Sequence, residues 1–124
     1  MVTDSYEYNN PREDRILSWD FTIESGEFSV GPATVLGNPT LYQVESIQAD
    51  KHYQTLLVAE EMKEHHKVLA LDLMTGEVIK EDLGNFDRGN DPEGIALVIN
   101  KDNNGYWICT EQSKTDNRFH LYDR

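Results

Sequence analysis

The sequence predicts an all-β protein, on three observations: short strand-like segments, turn chemistry between them, and repetition along the chain. The segments rich in β-branched and aromatic residues are RILSWDFTI, LLVAEE, KVLALDL, EVIKEDLG, GIALVI and GYWICTE. Turn residues separate them at Ser25-Gly26, Gly37-Asn38-Pro39, Thr75-Gly76 and Asp102-Asn103-Asn104-Gly105. A helical pattern competes over residues 56–73, but the β-branched content after Lys67 and the turn at Gly76 favour strands.

The chain repeats itself at an interval of about 50 residues. A basic residue, four strand residues and an aspartate recur at Arg15–Asp20, Lys67–Asp72 and Arg118–Asp123. Three further pairs keep the same order and offset: Gly26-Glu27 with Gly76-Glu77, Val44-Glu45-Ser46-Ile47 with Pro92-Glu93-Gly94-Ile95, and Ala59-Glu60-Glu61 with Thr110-Glu111-Gln112. About four strands fit into each period, which is the size of a β-propeller blade. We therefore expect a partial β-propeller of four-stranded blades rather than a chance similarity between amphipathic strands.

Composition limits the partners. The 124 residues include 23 acids and 11 bases, for a net charge of −12. Such a surface repels nucleic acids and anionic lipid headgroups, so neither is expected as a partner. No apolar run approaches the roughly 18 residues of a membrane span, and the opening residues do not predict a signal peptide. We expect a flexible segment over residues 1–12 and one domain over residues 13–124, with its single cysteine, Cys109, in the core.

Acidic side chains fall at equivalent points of the repeat. Glu45 is equivalent to Glu93, and Glu61 is equivalent to Gln112. Since the inner strands of a propeller line one channel, equivalent residues are expected at the same depth around it, with their oxygens converging on one rim. Calcium takes six to eight oxygen ligands in irregular geometry and would relieve the repulsion between such carboxylates.

These residues carry a resemblance to a known family. The ordered stretches VESIQAD, LLVAEE, DPEGIALV, GYWICTEQ and FHLYDR, between residues 40 and 124, resemble the β-propeller phytases, calcium-dependent phosphatases of myo-inositol hexakisphosphate. The resemblance implies a six-bladed propeller, of which this chain supplies roughly 2.5 blades. It also implies calcium ions that bind substrate phosphates and activate water, and a secreted or periplasmic location. The implied catalytic and metal-binding acids are Glu45, Glu61, Asp91 and Glu93, with Glu60 as a further, weaker metal ligand; the implied substrate-binding residue is Gln112.

The expected activity is that of a 3-phytase-like phosphoric monoester hydrolase acting on phytate or another phosphomonoester. The basic side chains, the tyrosine and the further acids of the family's full site have no counterpart here, so the isolated chain is expected to carry part of the site. Either the chain is a segment of a longer propeller or copies of it assemble to complete the ring. The alternative function is a non-catalytic calcium-binding propeller segment with a structural or partner-binding role.

Several motifs have simpler interpretations. Asp91-Pro92-Glu93-Gly94 has turn chemistry of its own, and Glu60-Glu61 is also compatible with a solvated strand end. His65-His66 suggests a metal, but neighbouring strand residues point to opposite faces, so an exposed turn is expected.

Other residues are assigned to the fold. The start of Asp102-Asn103-Asn104-Gly105 resembles a calcium loop, yet the later glutamate of an EF-hand would fall at Ser113, which favours a hairpin turn. Four aromatic side chains are expected to pack between blades: Trp19, Trp107, Phe119 and Tyr122.

Overall fold

A computed structural model describes residues 1–3, 10–37, 39–62, 64–84, 86 and 90–124. Within these ranges every regular element is a β-strand, and the described part of residues 56–73 contains strands and no helix, so the all-β prediction is confirmed. The same residues contain no helix long and apolar enough to cross a membrane.

Twelve strands are found among the described residues: β1 (Val2–Thr3), β2 (Ile16–Ser18), β3 (Phe21–Glu24), β4 (Glu27–Val30), β5 (Thr34–Val35), β6 (Val44–Asp50), β7 (Thr55–Glu60), β8 (Lys67–Asp72), β9 (Val78–Lys80), β10 (Asp91–Ile99), β11 (Gly105–Gln112) and β12 (Arg118–Asp123). The first sheet has the order β1-β2-β5, and β3-β4 form a separate hairpin. The second sheet is the meander β6-β7-β8-β9, and the third is the meander β10-β11-β12. All of the pairings are antiparallel, and no sheet of the described residues closes on itself.

The repeat is visible in the pairing of the second and third sheets. In the second sheet Val44 pairs with Glu60, and Glu60 pairs with Lys67. The equivalent partners in the third sheet are Pro92 with Glu111 and Glu111 with Arg118. Because the side-chain period of a strand is two, this shared register places equivalent side chains on equivalent faces of the two sheets.

The second sheet lies between two hydrophobic clusters, one on each face. On one face, five of its leucine and valine side chains pack with Ile16, Leu36 and Leu41, which belong to the first sheet and its flanking loops. On the other face, Leu57, Ala59, Val68 and Ala70 pack with side chains of the third sheet, among them Ile95, Trp107 and Cys109. Each cluster excludes water from the facing apolar surfaces, and this burial is the main stabilising term for the stack of three sheets.

The aromatic residues divide between these environments. Trp107 is 5% exposed and Tyr122 packs at the edge of the same cluster, as expected. Phe119 is 70% exposed, so the expectation that it packs between sheets is wrong within the described residues. The reason is that Phe119 lies on the face of the third sheet that points away from the second.

An ion pair ties the last residue to the turn between β6 and β7. The guanidinium of Arg124 donates from Nε to Asp50 Oδ2 at 2.5 Å and from Nη2 to Oδ1 at 2.8 Å. It also lies 4.6 Å from the ring centroid of Tyr53. The hydrogen bonds from Arg124 hold the pKa of Asp50 below its usual range. The pair therefore joins the third sheet to the second at the end opposite the acidic residues described below.

The turns predicted at Ser25-Gly26, Thr75-Gly76 and Asp102-Asn103-Asn104-Gly105 are confirmed. Positive φ angles occur at Ser25 (54°), Gly26 (85°), Gly37 (68°), Gly76 (72°) and Asn103 (64°). Residues 4–9 of the expected flexible segment and Asn38 lie outside the described residues. Of the rest of that segment, Val2–Thr3 pair with β2, and Arg12 forms an isolated bridge with Leu41.

Candidate functional site

Two β-bulges place equivalent acids at the same rim of neighbouring sheets. The register of β6 against β7 shifts between Val44 and Ser46, which leaves Glu45 unpaired. The register of β10 against β11 shifts between Pro92 and Ile95, which leaves Glu93 and Gly94 unpaired. A bulge turns the side chain of the extra residue away from the regular alternation, so both glutamates are re-aimed at the sheet edge.

Hydrogen bonds join and brace the two bulges. The backbone N–H of Ile95 donates to Ser46 Oγ at 3.1 Å, which connects the third sheet to the second. The N–H of Gly94 donates to Thr110 Oγ1 at 2.8 Å, which satisfies the backbone donor that the bulge frees. The position of Glu93 relative to Glu45 therefore depends on contacts across two sheets.

Glu61 lies at the centre of the acidic group. It follows β7 directly, and its N–H donates to the Gln43 carbonyl at 2.9 Å. Burial raises the pKa of Glu61 to about 7, helped by a hydrogen bond with Glu45 and by the negative charges of Glu45, Glu93 and Asp91. Gln43 Nε2 also donates to Glu61 Oε2. Near neutral pH the Glu61 carboxyl is therefore partly protonated.

Glu93 and Asp91 complete the group. Burial raises the pKa of Glu93, with further contributions from the charges of Glu45 and Asp91. His66 Nε2 lies 3.0 Å from Asp91 Oδ1, outside the angular range of a hydrogen bond. The structure therefore brings together Glu45, Glu61, Asp91 and Glu93, the four acids that the sequence predicts to converge.

His66 is the residue of this site that sequence reasoning missed. The expected exposed turn describes His65, which is exposed and stacks on Tyr42 with ring centroids 4.2 Å apart. It is wrong for His66, whose side chain is only 7% exposed beside Asp91. The sequence positions of these adjacent histidines do not indicate which one is buried. Their exposure differs because β10 packs against this loop.

Glu60 has surroundings unlike those of Glu61. It is 1% exposed, and its carboxylate accepts backbone N–H groups from Tyr42 at 2.8 Å, Gln43 at 2.7 Å and Met62 at 3.2 Å. Successive strand residues point to opposite faces, which turns Glu60 away from the acidic group. Both oxygens of Glu60 are committed to ordering the loops on either side of the strand pair, so we keep it out of the candidate cation site.

The equivalent residue of the third sheet, Glu111, is buried in the same way. It is 1% exposed, its Oε1 accepts from Asn90 Nδ2 at 2.6 Å, and its Oε2 contacts His120 Nε2. The repeat thus places a buried structural carboxylate at the equivalent position of each of these two sheets, next to one position at the rim.

A shallow groove of about 380 Å³ adjoins the acidic group. Gln112, the predicted substrate-binding residue, lies at the end of β11, pairs with Asp91 across the strands and lines this groove. Glu93, Asn117 and Arg118 line it as well. The guanidinium of Arg118 contacts Asp116 at 2.8 Å and 2.9 Å. The groove therefore offers amide and guanidinium donors beside a rim of carboxylates.

Two motifs belong to the fold, as the sequence predicts. Asp102 accepts hydrogen bonds from the backbone and side chain of Asn104 within a tight turn before β11. Cys109 is buried between the second and third sheets, and burial raises its pKa to about 12, so it stays a neutral thiol.

The four carboxylates suit a hard divalent cation by donor type and charge. The raised pKa values of two of them, Glu61 and Glu93, are the response expected of crowded carboxylates without a counter-charge. As the described side chains stand, no three from histidine, cysteine, aspartate and glutamate are arranged as ligands of one ion. Cation binding would therefore require Glu61 to release its proton and the carboxylates to reorient.

Comparison with known proteins adds no family to this description: the chain matches no family model, no curated protein and no solved structure.

Proposed function

We propose that this chain is part of a calcium-dependent, phytase-like phosphatase that hydrolyses phosphomonoesters of myo-inositol hexakisphosphate. The observation that carries the proposal is the meeting of Glu45, Glu61, Asp91 and Glu93 at one rim, with the pKa of Glu61 raised to about 7. The same residues carry the resemblance to the β-propeller phytases. By that resemblance we also propose a secreted or periplasmic location.

The fold proposed for this function is about 2.5 blades of a six-bladed propeller. It is supported by the equivalent registers of the second and third sheets and by their face-to-face packing. In a propeller each blade packs its face on the next, so the stack of sheets is compatible with that arrangement. Copies of the chain or further blades would be needed to complete the ring.

The roles proposed for the chain's own residues follow from their positions. Deprotonated Glu45, Glu61, Asp91 and Glu93 would hold calcium, with the His66 ring packed beside Asp91. Bound calcium supplies positive charge for phosphate oxygens and lowers the pKa of a coordinated water. Gln112 and Arg118, at the adjoining groove, would donate hydrogen bonds to a phosphate group. Without such a cation, the net charge of −12 would repel a polyanionic substrate.

One observation favours the alternative, a non-catalytic calcium-binding segment. Phosphoryl transfer needs dense positive charge around the transferred group. Arg118 is the basic side chain of the groove, and its guanidinium is already paired with Asp116. A site with the acids and without a basic clamp would bind calcium without catalysing phosphoryl transfer.

Calcium binding is tested by thermal melts with calcium, magnesium or a chelator. Calcium should stabilise the folded chain by about 2.7 kcal/mol at a hundredfold excess over its dissociation constant. Magnesium should stabilise it less, because it requires a tight octahedron and gives up water reluctantly. Glu93→Gln should weaken the calcium effect, whereas Glu77→Gln, an equal change of charge at an exposed turn, should preserve it. Identical melts under all three conditions would remove calcium from the proposal.

Phytate separates the two functions. If the chain belongs to a phosphatase, titration calorimetry should show phytate binding with calcium and none with chelator, and Gln112→Ala should weaken it. Phosphate release by the isolated chain should be slow, since part of the site is missing. Calcium binding without calcium-dependent phytate binding would support the alternative.

A further inference from the structure

One face of the third sheet is apolar and open. Every second side chain along its strands points away from the second sheet. Five of these side chains are large and apolar: Val98, Tyr106, Ile108, Phe119 and Leu121. Phe119 is 70% exposed and Leu121 is 63% exposed. We call these five residues the open face. Single exposed apolar residues are common on protein surfaces, whereas a contiguous apolar surface of this kind usually marks an interaction site.

The repeat shows what kind of structure covers such a face. By the shared register, Ile108, Phe119 and Leu121 are equivalent to three side chains of the second sheet, Leu57, Val68 and Ala70. Those three are 2%, 0% and 6% exposed, because the third sheet packs on them. The open face is therefore the equivalent of a surface that, one repeat earlier, is covered by antiparallel strands with an apolar face.

The β3-β4 hairpin carries such an apolar face. Phe21 pairs with Val30 and Ile23 pairs with Phe28, so all four side chains lie on one side of the hairpin. They are 56–68% exposed, and the two phenylalanine rings lie 5.7 Å apart. The other side is polar, with Thr22 Oγ1 and Ser29 Oγ 2.7 Å apart. An isolated two-stranded hairpin is marginally stable in water, so this apolar side calls for a partner surface.

The two surfaces cannot meet within one chain. The hairpin joins β2 to β5 and so belongs to the side of the first sheet, which packs on one face of the second sheet. The open face belongs to the third sheet, which packs on the opposite face. Each chain thus presents the apolar side of the hairpin at one end of the stack of sheets and the open face at the other end.

We propose that the chain associates with a second copy of itself, with the apolar side of the β3-β4 hairpin of one copy packed on the open face of the other. The occupant is a second copy because one sequence supplies both complementary surfaces. The contact is heterologous: it joins two different surfaces, and two copies that make it reciprocally form a closed pair. The inference rests on the exposed faces and is independent of calcium or phytate.

The first test is the mass of the chain in solution, by sedimentation equilibrium over a range of protein and salt concentrations. Dimers or larger assemblies are expected. Association should strengthen as salt rises, because salt screens repulsion between chains of charge −12 while apolar contacts persist. A monomer at all concentrations and salt conditions overturns the proposal.

Paired variants identify the two surfaces. Phe28→Ser on the hairpin and Leu121→Ser on the open face should each weaken association by about tenfold or more, since each removes a central apolar contact. Thr22→Ala, on the polar side of the hairpin, and Lys101→Ala, in the turn before β11, are the matched controls and should leave association unchanged. Circular dichroism checks that each variant is folded, and Ile23→Ser and Phe119→Ser replace any variant that is not.

Mixing the two variants tests the heterologous contact. A pair made of one Phe28→Ser chain and one Leu121→Ser chain retains one intact contact, between the hairpin of the second chain and the open face of the first. The mixture should therefore associate more tightly than either variant alone. If only one of the two variants weakens association, or if the mixture gains nothing, a hairpin-on-hairpin or face-on-face contact replaces the one proposed.

Discussion

The second and third sheets share one pattern of pairing but differ in their surroundings. Val68 of the second sheet is 0% exposed, whereas Phe119, its equivalent in the third, is 70% exposed. Likewise Ala70 is 6% exposed and Leu121 is 63% exposed. The larger side chains thus occupy the more exposed positions. The register of a repeat decides which side chains share a face, and the neighbouring sheet decides whether that face is buried.

The largest expected difference is between two leucines. Leu57→Ala, beneath the third sheet, should lower the free energy of unfolding by about 2–5 kcal/mol, because it removes buried methyl groups and leaves a cavity. Leu121→Ala makes the same chemical change on the open face and should cost about 0.5 kcal/mol or less when the chain is monomeric. Urea unfolding of dilute protein measures both. Equal losses would mean that the open face is covered in solution even at low concentration.

Gly26 and Gly76 occupy equivalent turns of the repeat but differ in how closely other backbone atoms approach them. A Cβ on Gly76 would lie 2.3 Å from the backbone nitrogen of Gly37, whereas a Cβ on Gly26 would meet nothing within 4 Å. Both glycines have positive φ, so Gly26→Ala should cost about 1–2 kcal/mol of backbone strain alone. Gly76→Ala adds a backbone clash and should cost at least about twice as much. Thermal melts of the two variants should rank them in that order, and the reverse ranking would contradict the close contact between Gly76 and Gly37.

The third comparison is between a carboxyl and an amide at equivalent positions, Glu61 and Gln112. Burial, the hydrogen bond with Glu45 and the nearby negative charges raise the pKa of Glu61 to about 7, above its usual value of 4.5. Between these values the folded chain holds a proton that the unfolded chain has released. The free energy of unfolding should therefore fall as pH rises from about 4.5 to about 7, by on the order of 1–2 kcal/mol once solvent screening is allowed for.

Glu61→Gln makes the second repeat like the third and should remove most of this slope. Urea unfolding in chelator at several pH values, with Glu77→Gln as the control, measures it. Asp50 affects the stability in a different pH range. The hydrogen bond from Arg124 lowers the pKa of Asp50, so the stabilisation from this ion pair is lost only as pH falls below 3.8. Parallel profiles for the wild type and Glu61→Gln would show that Glu61 titrates normally.

Part of the candidate site was predictable from sequence because repetition marks equivalent positions. The strand Val44–Asp50 contains Glu, Ser, Gln and Asp and lacks a strong β-propensity signal, yet the match of residues 44–47 to residues 92–95 marks its start. The same alignment singles out Glu45, Glu93 and Glu61, whereas Asp91 was assigned by the resemblance to the β-propeller phytases. The roles of His66 and Glu60 did not follow, because each depends on the loop or strand that packs against it.

The sequence by itself indicated the all-β class, most strands of the second and third sheets, and the equivalent positions of the repeat. These depend on local propensities and on side-chain alternation, which a linear pattern contains. The tertiary structure decided that bulges re-aim Glu45 and Glu93, that Glu61 retains a proton to about pH 7, and that Phe119 is exposed. The physical reason is that bulge geometry, desolvation and burial depend on which distant segments meet, and repeats alike in sequence differ in their neighbours.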